Sequence, residues 1–365
     1  MTRRAVITGV SGFLGGVLAA EFLRRHPNSK IIGVIRDQDA ASAQIQTKCF
    51  LDQLMSQLDK EIFDRSEVAV CQISELPSFM ERCFKGAPYT CFHCAANTDF
   101  AQNLEQGRRD NVYLTQMILA VVRKHGACRR FVHMSTAFVC GKTKAKITES
   151  VMPSVFHNFY EQTKWESEEV IRHSGIPFTI LRPSIVVGDS KTGFARHFRV
   201  FYGMFRLWLS GRIPRAPLDR HVGVDIVPVD HVVNATIKLA FMDAAKDQIV
   251  QICAGRNQSE PRKIFDIGLR VFEQPEAKYA PQFMVYVLRN RLVSRFLDHG
   301  LNSILETFEF HFPYMGSRKR SFDTSKCRAM LGDEEGEAPP VSSYGHNLFQ
   351  YCLDTQWGKR ELRKG

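Results

Sequence analysis

An α/β fold built on a doubly wound parallel sheet, followed by a smaller and mostly helical region, is what this 365-residue chain predicts. Short continuous apolar runs recur along its first half, the pattern of strands buried on both faces rather than of a half-exposed sheet. Helix-period segments separate those runs, and strands alternating with helices imply a parallel sheet with ligands at the carboxyl ends of its strands. Glycines spaced GxxGxxG stand between the first run and the first helix pattern.

In chain order, RAVITG is an apolar strand that stops in glycine, and Phe13 to Arg25 follows as a helix with Leu14, Val17, Leu18 and Phe22 on one face. KIIGVIR is the second strand, Ala40 to Leu58 a polar helix, EVAVCQI the third strand and YTCFHCAA the fourth. Asn103 to Lys124 makes the next helix, RRFVHMST the fifth strand, His157 to His173 a helix, and PFTILRPS the sixth strand. After Gly188 the rhythm changes to a stretch rich in aromatics, arginine and glycine, read as a cover over the sheet's carboxyl edge. DIVPVDHVVNATIKLAFM returns to strand and helix, with Asp230 as the expected N-cap, before a mostly helical tail. In that tail FMVYVLRNRLVSRFL mixes apolar residues with arginines; a core helix is the plain reading, a substrate wall or peripheral membrane contact the alternatives. GDEEGEAPPVSS, from Gly332 to Ser343, reads as an exposed loop. The expected division is a dinucleotide-binding unit over 1–188, rejoined by 224–255, with a substrate-binding cover formed by 189–223 and 256–365.

Gly9, Gly12 and Gly15 fall where absent side chains let a diphosphate approach backbone amides and the positive end of the first helix. Arg36 ends the second strand, where an acid would bind the ribose 2′-hydroxyl of NAD; arginine favours a 2′-phosphate and so NADPH, although Asp37 next to it keeps NADH open. Tyr160 and Lys164 lie at i and i+4, one turn apart on the same helix face. Ser135 and Thr136 end the fifth strand, so hydroxyl, phenol and ammonium are expected to converge at the sheet's carboxyl edge. Donors aimed at an oxygen that gains charge stabilise it where water is excluded. Tyr160 is the expected proton donor, its pKa brought down by the Lys164 ammonium and the oxidised nicotinamide. His93 reads as a structural histidine, and Asn111 as an amide that either bonds backbone near this site or faces solvent.

Composition excludes several classes. The 49 lysines and arginines against 38 acids give a net charge of +11, which points to an acidic partner: an anionic cofactor, an acidic carrier protein, a phosphorylated ligand or a membrane surface. The basic residues are dispersed and carry no nucleic-acid motif, so nucleic acid is not expected. No uninterrupted run of apolar residues is long enough for a membrane span. Ten scattered cysteines and the absence of a signal region before the first strand lead to the expectation of reduced thiols and a cytoplasmic location. Cys91 and Cys94 form a CxxC at a strand's end with no second pair, and the histidines lack ligand spacing, so no metal is expected. Nothing in the sequence sets the oligomeric state.

These segments resemble an extended short-chain dehydrogenase/reductase over most of the chain: TGVSGFLGG the cofactor loop, HCAANTDF the segment passing the ribose, DNVYLT the asparagine helix, STAFVCG the hydroxyl strand, YEQTK the catalytic pair and LRPSIVVG the flank of the nicotinamide. GDSKTG, PVDHVVNATI and FDTSKCRAMLG are similar to thioester reductases and fatty acyl-CoA reductases of the male-sterility type. The resemblance implies a Rossmann-type sheet and an NADPH-dependent reductase of an acyl thioester, free or carrier-bound, yielding aldehyde or alcohol. It implies Thr136, Tyr160 and Lys164 as the catalytic trio. It implies cofactor contacts from Gly9, Ser11, Gly12, Phe13, Leu14, Gly15, Arg36, Ala95, Ala96, Asn97, Asn111, Ser135, Pro183, Ser184 and Ile185, with Tyr160 and Lys164. The aromatic, basic segment from Phe194 to Arg220 is expected to meet the acyl chain. A ketone or hydroxysteroid dehydrogenase, a nucleotide-sugar epimerase or dehydratase, and a non-catalytic NADPH-binding protein are the alternatives.

Overall fold

The computed structural model describes residues 2–36, 40–143, 145–198, 201–209, 223–275, 314 and 320–359. Its strands are β1 (Arg4–Thr8), β2 (Lys30–Ile35), β3 (Glu67–Gln72), β4 (Tyr89–His93), β5 (Cys128–Met134), β6 (Lys146–Ile147), β7 (Phe178–Pro183), β8 (Ile185–Val187), β9 (Ile226–Pro228), β10 (Gln248–Ile252) and β11 (Ser321–Phe322). Seven of them make one sheet in the order β10-β7-β5-β4-β1-β2-β3, every pair parallel. The chain starts in the middle, winds outward through β2 and β3, then returns to β4 and winds the other way. The crevice between the ends of β1 and β4 is therefore the switch point at which such sheets bind ligands.

The helices, again in chain order, are α1 (Phe13–Arg25), α2 (Ala40–Gln57), α3 (Lys60–Asp64), α4 (Leu76–Phe84), α5 (Leu104–Gly107), α6 (Leu114–His125), α7 (Phe159–Arg172), α8 (Phe201–Leu209), α9 (Val229–Phe241), α10 (Pro261–Val271), α11 (Ser325–Leu331), α12 (Asp333–Gly336) and α13 (Val341–Asp354). Leu18 and Phe22 of α1, Leu54 of α2 and Val232 of α9 pack one face of the sheet. Met80 and Phe84 of α4, Ile118 and Val122 of α6 and Ile171 of α7 pack the other. With both faces covered, β1 and β4 have no solvent side to alternate toward, and each large apolar side chain buried there contributes about 1.5–3 kcal/mol. A separate cluster joins α8, α10 and α13, with Phe205 of α8 against Phe265 of α10 and Phe349 of α13 at ring separations of 4.0 and 4.7 Å.

Several elements differ from expectation. The edge strand β10, QIVQI, carries glutamines at both ends of its apolar pair, which hid it; Gln251 turns its amide to the Ile147 carbonyl at 3.1 Å. IVV after β7 leaves the main sheet and pairs with β9. Asp230 is not the N-cap of α9. Pro228 holds that position, and Asp230 sits in the first turn, accepting from Ser190 N at 2.8 Å and Ser190 Oγ at 2.6 Å. The single helix expected over Asn103 to Lys124 is α5 and α6 joined by a π-helical turn, Arg108–Tyr113. Gly332 to Ser343 is not an exposed loop. It contains α12, buries Gly336, Ala338 and Val341, and opens α13. FMVYVLRNRLVSRFL and Asp37 lie outside the described residues.

Candidate active site

Gly9 leaves β1 at φ +70°, and a Cβ there would come within 2.8 Å of the Ala95 backbone, so the ends of β1 and β4 approach as closely as they do only because the side chain is missing. A Cβ on Gly15 would lie 2.3 Å from the Gly9 carbonyl oxygen, which closes the loop against the start of α1. Gly12 caps α1 without a side chain, and no acid stands in the first turn. The amides of that turn, together with the helix's positive end, form a cradle suited to a diphosphate.

A cavity of about 440 Å³ opens from this cradle. Gly9, Gly12, Phe13, Leu14 and Gly15 line one side; Ala96, Ser135, Thr136, Tyr160, Lys164, Pro183, Ser184 and Ile185 line the rest of the predicted set. The cover contributes His197, Phe201, Tyr202 and Tyr314. Five predicted residues are not on the wall. Ser11 turns its hydroxyl to Gln46 at 3.4 Å, and Arg36 is exposed at the end of β2. Ala95 lies behind Gly9 and donates its N–H to Thr8 Oγ1 at 3.1 Å. Asn97 and Asn111 form a support: Asn111 Oδ1 accepts from Asn97 N at 2.7 Å, and its Nδ2 donates to Asn97 O at 3.2 Å and to Thr163 Oγ1 at 2.9 Å. Asn111 is buried in the π-helical turn and so takes the backbone-bonding alternative.

Thr136 caps the 3₁₀ turn Ala137–Cys140, its hydroxyl accepting from Phe138 N at 3.3 Å. Burial pushes the Tyr160 phenol up to about 12; the nearby Thr136 hydroxyl pulls it down and the neighbouring Glu161 carboxylate pushes it up. Lys164, expected to lower it, is not among the groups that shift it. In the protein, the Lys164 ammonium is instead engaged by β5, donating to Met134 O at 2.7 Å with His133 Nε2 at 3.2 Å. Burial lowers Lys164 to about 8, against the opposing pull of Glu168 and Cys94. Ser135 lines the cavity, but its hydroxyl donates to Glu168, which also pairs with Arg182 at 2.6 and 3.0 Å.

Residues that motif reading missed complete the site. Glu161, fully buried beside Tyr160, accepts from His157 N at 2.8 Å and from the Tyr314 hydroxyl at 2.7 Å, and Asn158 Nδ2 donates to the same phenol at 2.7 Å. The Tyr314 ring stacks on Phe100 at 4.7 Å, and Phe100 lies 5.5 Å from the Tyr160 ring. Tyr314 had no signal in the sequence; His133 had one, a titratable ring in the middle of an apolar strand. His93 is structural, buried between Thr8 Oγ1 at 2.8 Å and Thr115 Oγ1 at 3.0 Å, and burial lowers it to about 3. All ten cysteines are free thiols. Among the described residues, no helix is long and apolar enough to cross a membrane and no cluster could hold a metal ion.

The NAD-binding family described as "Male sterility protein" matches residues 7–236. Fatty acyl-CoA reductase 1 of Xenopus laevis is 26% identical over 295 residues, 69% of this chain and 57% of that protein. The nonribosomal peptide synthetase asaC of Aspergillus flavus is 26% identical over 269 residues, 65% of this chain and 24% of that protein. The chain thus spans about half the length of the first relative and a quarter of the second. Among solved structures, the terminal R domain from the myxalamid PKS-NRPS biosynthetic pathway superposes with a TM-score of 0.78 at 21% identity, over 99% of this chain and 93% of that one. UDP-glucuronic acid 4-epimerase from Bacillus cereus does so at 0.67 and 17%, over 96% and 99%.

Proposed function

The chain belongs to the male sterility protein family of NAD-binding domains, and from that premise we propose that it is an NADPH-dependent reductase of an acyl thioester, a coenzyme A ester or a carrier-bound acyl group. What carries this reading is that Thr136, Tyr160 and Lys164 line the same cavity as the glycine cradle. Fatty acyl-CoA reductases and peptide synthetases recur among the relatives, which favours a thioester over a sugar nucleotide. Arg36, exposed at the end of β2, favours the 2′-phosphate of NADPH.

The cradle of Gly9 to Gly15 would hold the dinucleotide's diphosphate, and the walls from Ala96 and from Pro183 to Ile185 its nicotinamide half. The bound dinucleotide would supply hydride to the thioester carbon. Tyr160, held protonated through the neutral range by burial, gives its proton to the oxygen that becomes negative. The Thr136 hydroxyl, which lines the same cavity close enough to lower the Tyr160 pKa, supports the same oxygen, and the Lys164 ammonium adds positive charge in a water-poor site. Loss of the thiol then leaves an aldehyde; with the spent dinucleotide exchanged for a second NADPH and Tyr160 reprotonated from solvent, the same groups would protonate its oxygen in a second reduction to alcohol. Phe100, Phe201 and Tyr314 form the apolar wall for the acyl chain. Residues 1–188 with 224–255 would act as the dinucleotide-binding unit and the remainder as cover: α9 and β10 pack with the sheet, while α8, α10 and α13 share a second cluster with Val187, Val224 and Ile226.

NADPH oxidation followed with acyl thioesters, ketones and nucleotide sugars tests this directly: consumption is expected with thioesters, and consumption with ketones alone would overturn it. Tyr160→Phe should lower turnover by about 10²–10⁴ while NADPH affinity stays within about twofold.

A further inference from the structure

Lys164 is anchored twice by β5. An ammonium has donors only, so the His133 Nε2 at 3.2 Å must accept, and the ring proton must sit on Nδ1. That Nδ1 is buried and has no hydrogen-bond partner among the described residues. His133 therefore accepts an uncompensated buried N–H while presenting its lone pair to Lys164, an arrangement that costs stability unless it serves the lysine.

The ring is fixed from its other face as well. It stacks on His93 at 5.2 Å with 29° between planes. The hydrogen bonds determine the His93 tautomer: Thr115 Oγ1 donates to Asn111 O at 2.7 Å and so accepts from His93 Nε2–H, while Thr8, whose oxygen accepts from Ala95 N, donates to His93 Nδ1. A neutral, doubly bonded imidazole on β4 thus forms a rigid backing for the one on β5.

We propose that His133 is a positioning residue: a neutral imidazole that, with the Met134 carbonyl, takes two of the three Lys164 N–H groups and so aims the third into the cavity shared with Tyr160. This rests on the reading of Lys164 as part of the catalytic set. The accepting nitrogen also favours the charged form of a lysine that burial already brings down to about 8. The other ionisable groups facing the ammonium are Glu168 and Tyr160 on its own helix and His93 and Cys94 at the end of β4. Glu168 and Cys94 favour the charge, while burial and Lys164 hold both histidines well below their usual range.

Replacing the acceptor with an apolar group should let Lys164 lose its proton at lower pH. His133→Leu and His133→Phe, the second keeping a ring against His93, are expected to lower kcat by about tenfold and move the alkaline limb of kcat/KM down by about one pH unit. His133→Gln, whose amide oxygen can accept near the Nε2 position, should restore the limb toward the wild-type position. NADPH affinity against pH, followed by cofactor fluorescence in the same proteins, reads the same group without a substrate. If the wild type reduces none of the substrates, the functional reading fails and the affinity series alone decides on His133. Wild-type pH dependence of both kcat/KM and NADPH affinity in whichever apolar variant folds would overturn the proposal; with no turnover, wild-type affinity dependence alone would do so. Failure of both to fold would leave His133→Gln, which must then match wild type in every measurement available or the proposal falls.

Discussion

At the scale of single residues, the cradle rests on glycines in the turn between β1 and α1, and Tyr160 and Lys164 stand one turn apart on α7. Gly15 is the most demanding position, since its hydrogen points at the Gly9 carbonyl oxygen across a gap that a Cβ would shorten to 2.3 Å. Gly15→Ala should force the loop open and weaken NADPH binding by about tenfold or more, roughly the loss of one to two hydrogen bonds to phosphate, which isothermal titration would measure. Unchanged affinity would mean that the loop does not form the cradle described. What spacing does not reveal is how a side chain is spent once folded. Ser135 and Thr136 are neighbours with the same chemistry, yet one hydroxyl donates to Glu168 and the other accepts from Phe138 N, and only the third dimension separates them.

Among the elements, α7 shows how the site is held. Its middle is clamped by Glu168 to Arg182 of β7 and to Ser135 beyond β5, with both members of the ion pair almost wholly buried. Removing one partner of such a pair leaves an uncompensated buried charge. Glu168→Gln is therefore expected to lose about 3–5 kcal/mol in chemical denaturation, and a loss under about 1 kcal/mol would show that the clamp is not what positions the helix. The strands and helices of the first half were legible because apolar periodicity reports burial. The π-helical turn at Arg108–Tyr113 was not, because one extra residue in a turn leaves the periodicity of a long helix nearly intact. That turn nevertheless brings Asn111 to the Asn97 backbone, within the segment that follows β4.

Across the whole molecule, the buried histidines set an acid limit. His93 is lowered to about 3, His231 to about 4 and His133 well below 6.5, in each case chiefly by burial. Each is neutral when folded and protonates near 6.5 when unfolded, so the unfolded state binds more protons as pH falls from about 6.5 toward 4. Stability should be full above pH 6.5 and fall on acidification through that window, by up to about 1.4 kcal/mol per pH unit for each histidine. A melting temperature that stays level from pH 7 to pH 5 would contradict this. The fold class was legible at this scale, while the way the cover closes was not, because its contacts join residues far apart in sequence. The Tyr314 hydroxyl reaches Glu161 across 153 positions, and β11 pairs with β6. For a chain emerging from a ribosome, the sheet and the glycine cradle can assemble before residue 314 is made, and the phenol that braces α7 arrives later. A nascent chain stopped before residue 314 should therefore already carry a dinucleotide fold while its cavity lacks the wall that Tyr314 supplies.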